Sequence, residues 1–209
     1  MKLKVCGLKH EQNIKELMQL PIDCMGFIFY KKSPRFVAEQ LSFDFVRTIP
    51  KQIKKVGVFV NENNYTIFNH IAHYDLDMVQ LHGEETPEKC AELKPHVKVM
   101  KAFQINDDFD FKQLESYLLT VDYFLFDTPT SNYGGSGKTF NWQILKKYNY
   151  HIPFFLSGGI SEGHIEEIKQ LNITQLIAID INSKFETEPG LKNTEQVKQF
   201  ILKLKHDAK

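Results

Sequence analysis

The strongest chemical signal in this chain is an acidic residue followed by a glycine-rich loop. From Asp127 to Asn141 the residues read Asp-Thr-Pro-Thr-Ser-Asn-Tyr-Gly-Gly-Ser-Gly-Lys-Thr-Phe-Asn. The apolar run Tyr123-Phe124-Leu125-Phe126 leads into the acid, and Trp142 to Lys147 resumes a helical pattern. A carboxylate at the tip of a buried strand meets solvent only there. Glycines ahead of a helix start bring backbone N–H groups close to an anion. The combination points to a catalytic acid beside a phosphate cradle. Two other readings compete. A Walker-type nucleotide loop needs Gly, four residues, then Gly-Lys-Thr; Gly137-Lys138-Thr139 supplies the end, but Asn132 stands where the opening glycine belongs. The blander reading is a glycine loop with no ligand, since loops of this composition are common.

The elements that must position these groups alternate along the chain. Strands are predicted over Lys2–Cys6, Cys24–Phe29, Lys54–Val60, Met78–Leu81, Lys98–Ala102, Tyr123–Phe126, Pro153–Leu156 and Gln175–Ile179. Helices are predicted over His10–Gln19, Phe43–Ile49, Asn64–His73, Pro87–Leu93, Phe109–Leu118, Trp142–Lys147, Glu162–Gln170 and Thr194–Lys205. Thr86 before Pro87 and Ser161 before Glu162 are helix-start signals. Alternation of this kind implies parallel strands with helical crossovers. Eight of each favours an α/β fold of the closed (β/α)8 TIM-barrel type over an open sheet, with residues 1–209 as one domain. In such a barrel, chemistry sits where strands end and the following loops begin. The residues at those ends are Cys6-Gly7, Ser33-Pro34-Arg35, Asn61, His82-Gly83-Glu84, Asp127, Ser157-Gly158-Gly159, and Asp180 with Asn182 and Ser183. This polar and glycine-rich rim favours an enzyme over a passive scaffold.

The totals exclude several classes. Among 209 residues, 26 basic side chains balance 26 acidic ones, which gives no electrostatic case for a nucleic-acid or membrane partner. Apolar residues make up 42%, enough for a real core. Three cysteines (Cys6, Cys24, Cys90) form neither a zinc-site spacing nor a full disulfide set, as expected of a reducing compartment. The opening Met1-Lys2-Leu3-Lys4 is followed by too short an apolar stretch for a signal peptide or a spanning helix. The expected location is the cytoplasm.

The ordered motifs resemble one family. They run Lys4-Val5-Cys6-Gly7-Leu8, then Gly26-Phe27-Ile28-Phe29 with Ser33-Pro34-Arg35-Phe36-Val37, then Val56 to Asn61, then Val79-Gln80-Leu81-His82-Gly83-Glu84. Asp127 with Gly134 to Phe140, Leu156-Ser157-Gly158-Gly159-Ile160, Asp180 to Glu186 and Pro189-Gly190-Leu191-Lys192 complete the set. Across nearly the whole chain this resembles the phosphoribosylanthranilate isomerases of tryptophan biosynthesis. Each motif alone is weak; the order is specific. The resemblance implies an Amadori rearrangement of a small phosphosugar, with no metal and no organic cofactor. It leaves monomer and homodimer both open.

By position, the resemblance makes Asp127 the general acid and Cys6 the general base. Free Asp titrates near ~3.9 and free Cys near ~8.5, so both must be shifted by their surroundings to serve at neutral pH. Arg35 is expected to engage the anthranilate portion, with His82 and Asp180 touching substrate or ordering the pair. Phosphate is expected on Gly135, Ser136, Gly137, Ser157, Gly158, Gly159, Asn182 and Ser183, through backbone amides and helix starts. The last loop departs from the family's usual Ser-Ser-Gly: Lys184 replaces the glycine and is expected to point into solvent. Cys24 and Cys90 are expected to be structural, and the remaining histidines to lie at the surface. The competing assignments are another phosphosugar isomerase or epimerase on the same barrel, a nucleotide-binding module using the glycine loop, and a scaffold without activity.

Overall fold

The computed structural model describes residues 1–37, 40–128 and 141–205. Eight parallel strands close into a barrel in chain order: β1 (Lys2–Cys6), β2 (Cys24–Ile28), β3 (Lys54–Phe59), β4 (Met78–Leu81), β5 (Lys98–Gln104), β6 (Tyr123–Asp127), β7 (Phe154–Leu156) and β8 (Leu176–Ile181), with β8 pairing back to β1. Around it lie α1 (Glu11–Leu17), α2 (Phe43–Arg47), α3 (Asn64–Tyr74), α4 (Pro87–Leu93), α5 (Ile165–Gln170) and α6 (Thr194–Lys205). Three of the expected helical segments are tighter. Phe111–Tyr117 and Trp142–Lys147 are 3-10 turns, and Glu162–His164 is a 3-10 lead into α5. Asp110 and Asn141 cap the first two from the side chain, each two residues ahead, and such short segments gain little from full α geometry. A hairpin that the predicted elements do not include follows β8, formed by β9 (Glu186–Glu188) and β10 (Leu191–Lys192).

Strand parity explains how the barrel is filled. Successive side chains of a strand point to opposite faces. The outward set, including Leu3, Val5, Phe27, Phe59, Val79, Phe124, Phe126, Phe154 and Ile179, is buried against the helices. The inward set forms a separate apolar cluster of Cys24, Val56, Met78, Met100, Ala102, Leu125, Phe155 and Ala178. Two residues further along their strands, the same inward face presents Val58, Gln80, Asp127, Ser157 and Asp180 to an open cleft at the barrel mouth. On β1 the corresponding step leads from Lys4 to Cys6. Among the described residues Lys4 is therefore the one cation buried in the barrel's inner layer, and it is completely enclosed.

Local capping holds the loops that carry the rim. Thr86 accepts a hydrogen bond from the Lys89 amide, with Pro87 in the first turn of α4. Asn63 does the same for Thr66 at the start of α3. The α4 cap is a local stabiliser of about 1 kcal/mol.

Candidate active site

One cleft at the C-terminal ends of the strands gathers Cys6, Arg35, His82, Asp127 and Asp180 with Ser157, Gly158, Gly159, Asn182 and Ser183. Gly135, Ser136 and Gly137, with Lys138, lie outside the described residues. Cys6 and Asp127 thus face a common space although they come from opposite sides of the strand order.

Cys6 ends β1 and is 4% exposed. Its neighbour across the ladder is Gly26, where an added Cβ would sit 2.7 Å from the sulfur. Glycine at that position makes room for the thiol. Burial pushes the Cys6 thiol up from its ordinary value, while the Lys4 and Lys192 ammonium groups pull it down. Burial wins in the free protein, so the resting sulfur carries its proton. Cys24 and Cys90 are also buried and pushed up, to about 11 and about 12, again by burial. Neither lies on the cleft.

Asp127 ends β6 and accepts a hydrogen bond from the Thr128 amide at 2.8 Å. Its other carboxylate oxygen is 3.3 Å from Nε2 of His82. The remaining ring nitrogen of His82, Nδ1, is 2.7 Å from the Gln80 side-chain amide nitrogen. Gln80, His82 and Asp127 therefore form a polar chain along the mouth. The Gly158 backbone packs against the acid: a Cβ there would meet Asp127 Oδ1 at 2.9 Å. Gly158 and Gly159 take φ values of +92° and +65°, which glycine adopts without strain.

Asp180 corrects an expectation. It lies not beyond strand eight but within β8, 5% exposed, with its side chain lining the cleft. Its carboxylate accepts both hydrogen bonds from Lys4, at 2.9 and 3.0 Å. Burial opposes charge on Lys4, yet Asp180 and Cys6 outweigh it and hold the lysine above its ordinary value. The ammonium stays charged beneath the thiol.

Arg35 lies on the cleft as expected, but its guanidinium is already engaged. It makes a bidentate pair with Glu186 of β9, at 2.7 to 3.0 Å. Glu186 also receives Lys192 at 2.6 Å, and Lys192 in turn donates to Asn182 at 2.7 Å. The Asn182 side chain is thus committed to Lys192. Ser183 opens a 3-10 turn, Ser183–Phe185, that contains Lys184 without a positive φ. Lys184 is exposed at the rim and lines the cleft. His70 corrects a second expectation: it is half-buried, 4.5 Å from the Phe29 ring, rather than at the surface. Among the described residues no group of three His, Cys, Asp or Glu is placed to hold a metal ion.

Fold and mouth define the class: a (β/α)8-barrel enzyme with its polar groups at the strand C-termini. The family model described as N-(5′-phosphoribosyl)anthranilate isomerase matches residues 3–203, and the chain belongs to that family. An N-(5′-phosphoribosyl)anthranilate isomerase from Parabacteroides distasonis is 45% identical over 213 residues, covering 100% of this chain and 95% of the relative. The crystal structure of the Thermotoga maritima phosphoribosylanthranilate isomerase superposes with a TM-score of 0.87 at 30% identity, covering 99% of both chains. A phosphoribosylanthranilate isomerase in complex with reduced 1-(o-carboxyphenylamino)-1-deoxyribulose 5-phosphate superposes with a TM-score of 0.83 at 27% identity, again covering 99% of each.

Sequence reasoning missed Lys4, Glu186 and Lys192 as parts of the site. The signal for Lys4 was present: it lies two residues before Cys6, on the same strand face. The other two depend on a hairpin whose only trace is the Pro189-Gly190 turn.

Proposed function

We propose that Cys6 and Asp127 carry the proton transfers by which this enzyme converts N-(5′-phosphoribosyl)anthranilate to 1-(2-carboxyphenylamino)-1-deoxyribulose 5-phosphate, the isomerisation of tryptophan biosynthesis. The observation that carries the assignment is the shared cleft, which is lined by both the Cys6 thiol of β1 and the Asp127 carboxyl group of β6. Asp127 gives its proton to the ribose ring oxygen as the C1′–O bond breaks, and the anthranilate nitrogen's lone pair closes the iminium. Cys6, as thiolate, removes the proton from C2′, and those electrons neutralise the iminium to an enolamine. The enolamine gains a proton at C1′ and loses one from the C2′ hydroxyl, giving the ketone. No atom is gained or lost overall. The reactive pair, thiolate with carboxylic acid, differs from thiol with carboxylate by the move of a single proton.

Arg35 binds the anthranilate carboxylate from the loop after β2. Ser157, Gly158, Gly159, Asn182 and Ser183, joined by Gly135, Ser136 and Gly137, hold the phosphate. His82 orients Asp127, and Asp180 acts on the base through Lys4 rather than on substrate. None of these roles calls for a metal or an organic cofactor. The enzyme works as one domain, in the cytoplasm, as a monomer or a homodimer. No helix among the described residues is long and apolar enough to cross a membrane.

The test follows the fluorescence of freshly made phosphoribosylanthranilate. Cys6→Ala and Asp127→Asn should each lower kcat by at least ~10²-fold, the scale of one lost general acid or base, with unchanged melting. Near-normal turnover by Cys6→Ala would remove the base assignment.

A further inference from the structure

We propose that Lys192, carried to the barrel mouth by the β9–β10 hairpin, is a positioning residue that favours the thiolate form of Cys6. The inference rests on the reading of Cys6 as the base.

Lys192 is a built feature, not a stray surface lysine. It is 2% exposed. Its backbone is clamped by the buried Asn13 of α1, whose side chain accepts from the Lys192 amide at 2.8 Å and donates to its carbonyl at 2.9 Å. Its ammonium is held by Glu186 at 2.6 Å and Asn182 at 2.7 Å. Gly7, the residue after Cys6, lets this group close in. A Cβ there would lie 2.7 Å from both Arg35 Cδ and Asn182 Oδ1, and its φ of +77° suits glycine.

Charge counting gives the cluster a direction. Arg35 and Lys192 are two cations sharing one carboxylate, Glu186. The Lys4–Asp180 pair is balanced. Cys6 is therefore acted on by a neutral pair and by a cluster with one positive charge to spare, and a thiolate is the anion that would neutralise it. The charged groups acting on Cys6 are Lys4 and Asp180 from within the barrel and Lys192 from the hairpin. Those acting on Lys192 are Glu186, Cys6 and Arg35. Burial pushes Lys192 down to about 8, with Glu186 and Cys6 opposing, so the surplus charge is present at neutral pH and fades above that value. Leaving a lysine this deeply buried with only a shared counter-ion is costly, which is intelligible if the charge serves a neighbour.

The test is alkylation of Cys6 by iodoacetamide as a function of pH in the intact enzyme. Peptide mass spectrometry reads Cys6 separately from Cys24 and Cys90. Lys192→Met should move the Cys6 midpoint upward by roughly one pH unit, the lower end of what a nearby opposite charge produces. It should also cut kcat about tenfold, as one pKa unit implies, and shift the alkaline side of the kcat/KM profile while KM changes little. Lys192→Gln keeps a hydrogen-bonding head for Glu186 and Asn182, and carries the same test if methionine does not fold. A Cys6 midpoint that stays at the wild-type value overturns the inference. Because alkylation needs no substrate, that outcome is distinct from failure of the base assignment, which appears as turnover by Cys6→Ala.

Discussion

Two of the buried charge groups near the mouth of this barrel are built on opposite plans. Lys101 of β5 and Glu85, in the loop after β4, form a closed pair, each 2% exposed, at 3.3 Å. Lys101 also donates to the carbonyls of Gly83 and Ala102, and Glu85 accepts from the amides of Asn61 and Gly83. Its charges cancel and its hydrogen bonds hold loops together. The Arg35–Glu186–Lys192 cluster is equally well bonded but does not cancel. Burial of charge is expensive in either case. The closed pair offsets that cost with fixed loop geometry, whereas the open cluster leaves a charge directed at a thiol. The Glu85–Lys101 pair is a brace, whereas the Arg35–Glu186–Lys192 cluster keeps a charge for the site.

The largest test of this contrast is Glu85→Ala. It strands the Lys101 ammonium in the interior and should cost about 3–5 kcal/mol, lowering the melting temperature by roughly 10 °C in calorimetry. Lys192→Met should cost far less stability at pH 7, because Glu186 keeps its bidentate partner Arg35. Equal losses in the two variants would erase the distinction.

A pH series sharpens it. Folded Lys192 releases its proton near pH 8, while the unfolded chain keeps it to the ordinary lysine value of 10.5. Over that window the unfolded state binds more protons, so this group's contribution to stability rises with pH. The stability of wild type minus that of Lys192→Met should therefore climb by up to about 3 kcal/mol from pH 8 to 10.5 in urea unfolding. A flat difference would mean that the lysine is not held at a cost.

Arg35→Ala is smaller: KM for the anthranilate substrate should rise about tenfold, equivalent to ~1.4 kcal/mol, with a lesser effect on kcat. Thr86→Ala sets the floor, about 1 kcal/mol of stability from a lost cap and no kinetic change.

What the sequence made legible follows from parity and order. Cys6, Arg35, His82 and Asp127 could be read because each follows a recognisable apolar run, and a parallel barrel puts all such ends on one rim. Asp180 was misplaced by a single step: β8 runs to Ile181, so the aspartate lies inside the strand rather than beyond it. Polar residues inside a strand look like its end when their partner is distant, and that partner, Lys4, is 176 residues away. Lys192 was illegible for the same reason. Nothing local distinguishes a buried lysine from a solvated one; Asn13, Glu186 and Asn182 decide it only after folding.

The apolar packing of Val56, Met78, Met100, Leu125 and Phe155 behind the mouth has a consequence for the traffic of hydrogen. That plug is apolar, and above it Lys4 is completely enclosed while Asp180 faces the cleft. A hydrogen lifted from the sugar onto sulfur has no back door. It leaves by the opening the product uses or rejoins the same molecule, so the share of solvent deuterium found at C1′ of the product reports how long that opening stays covered.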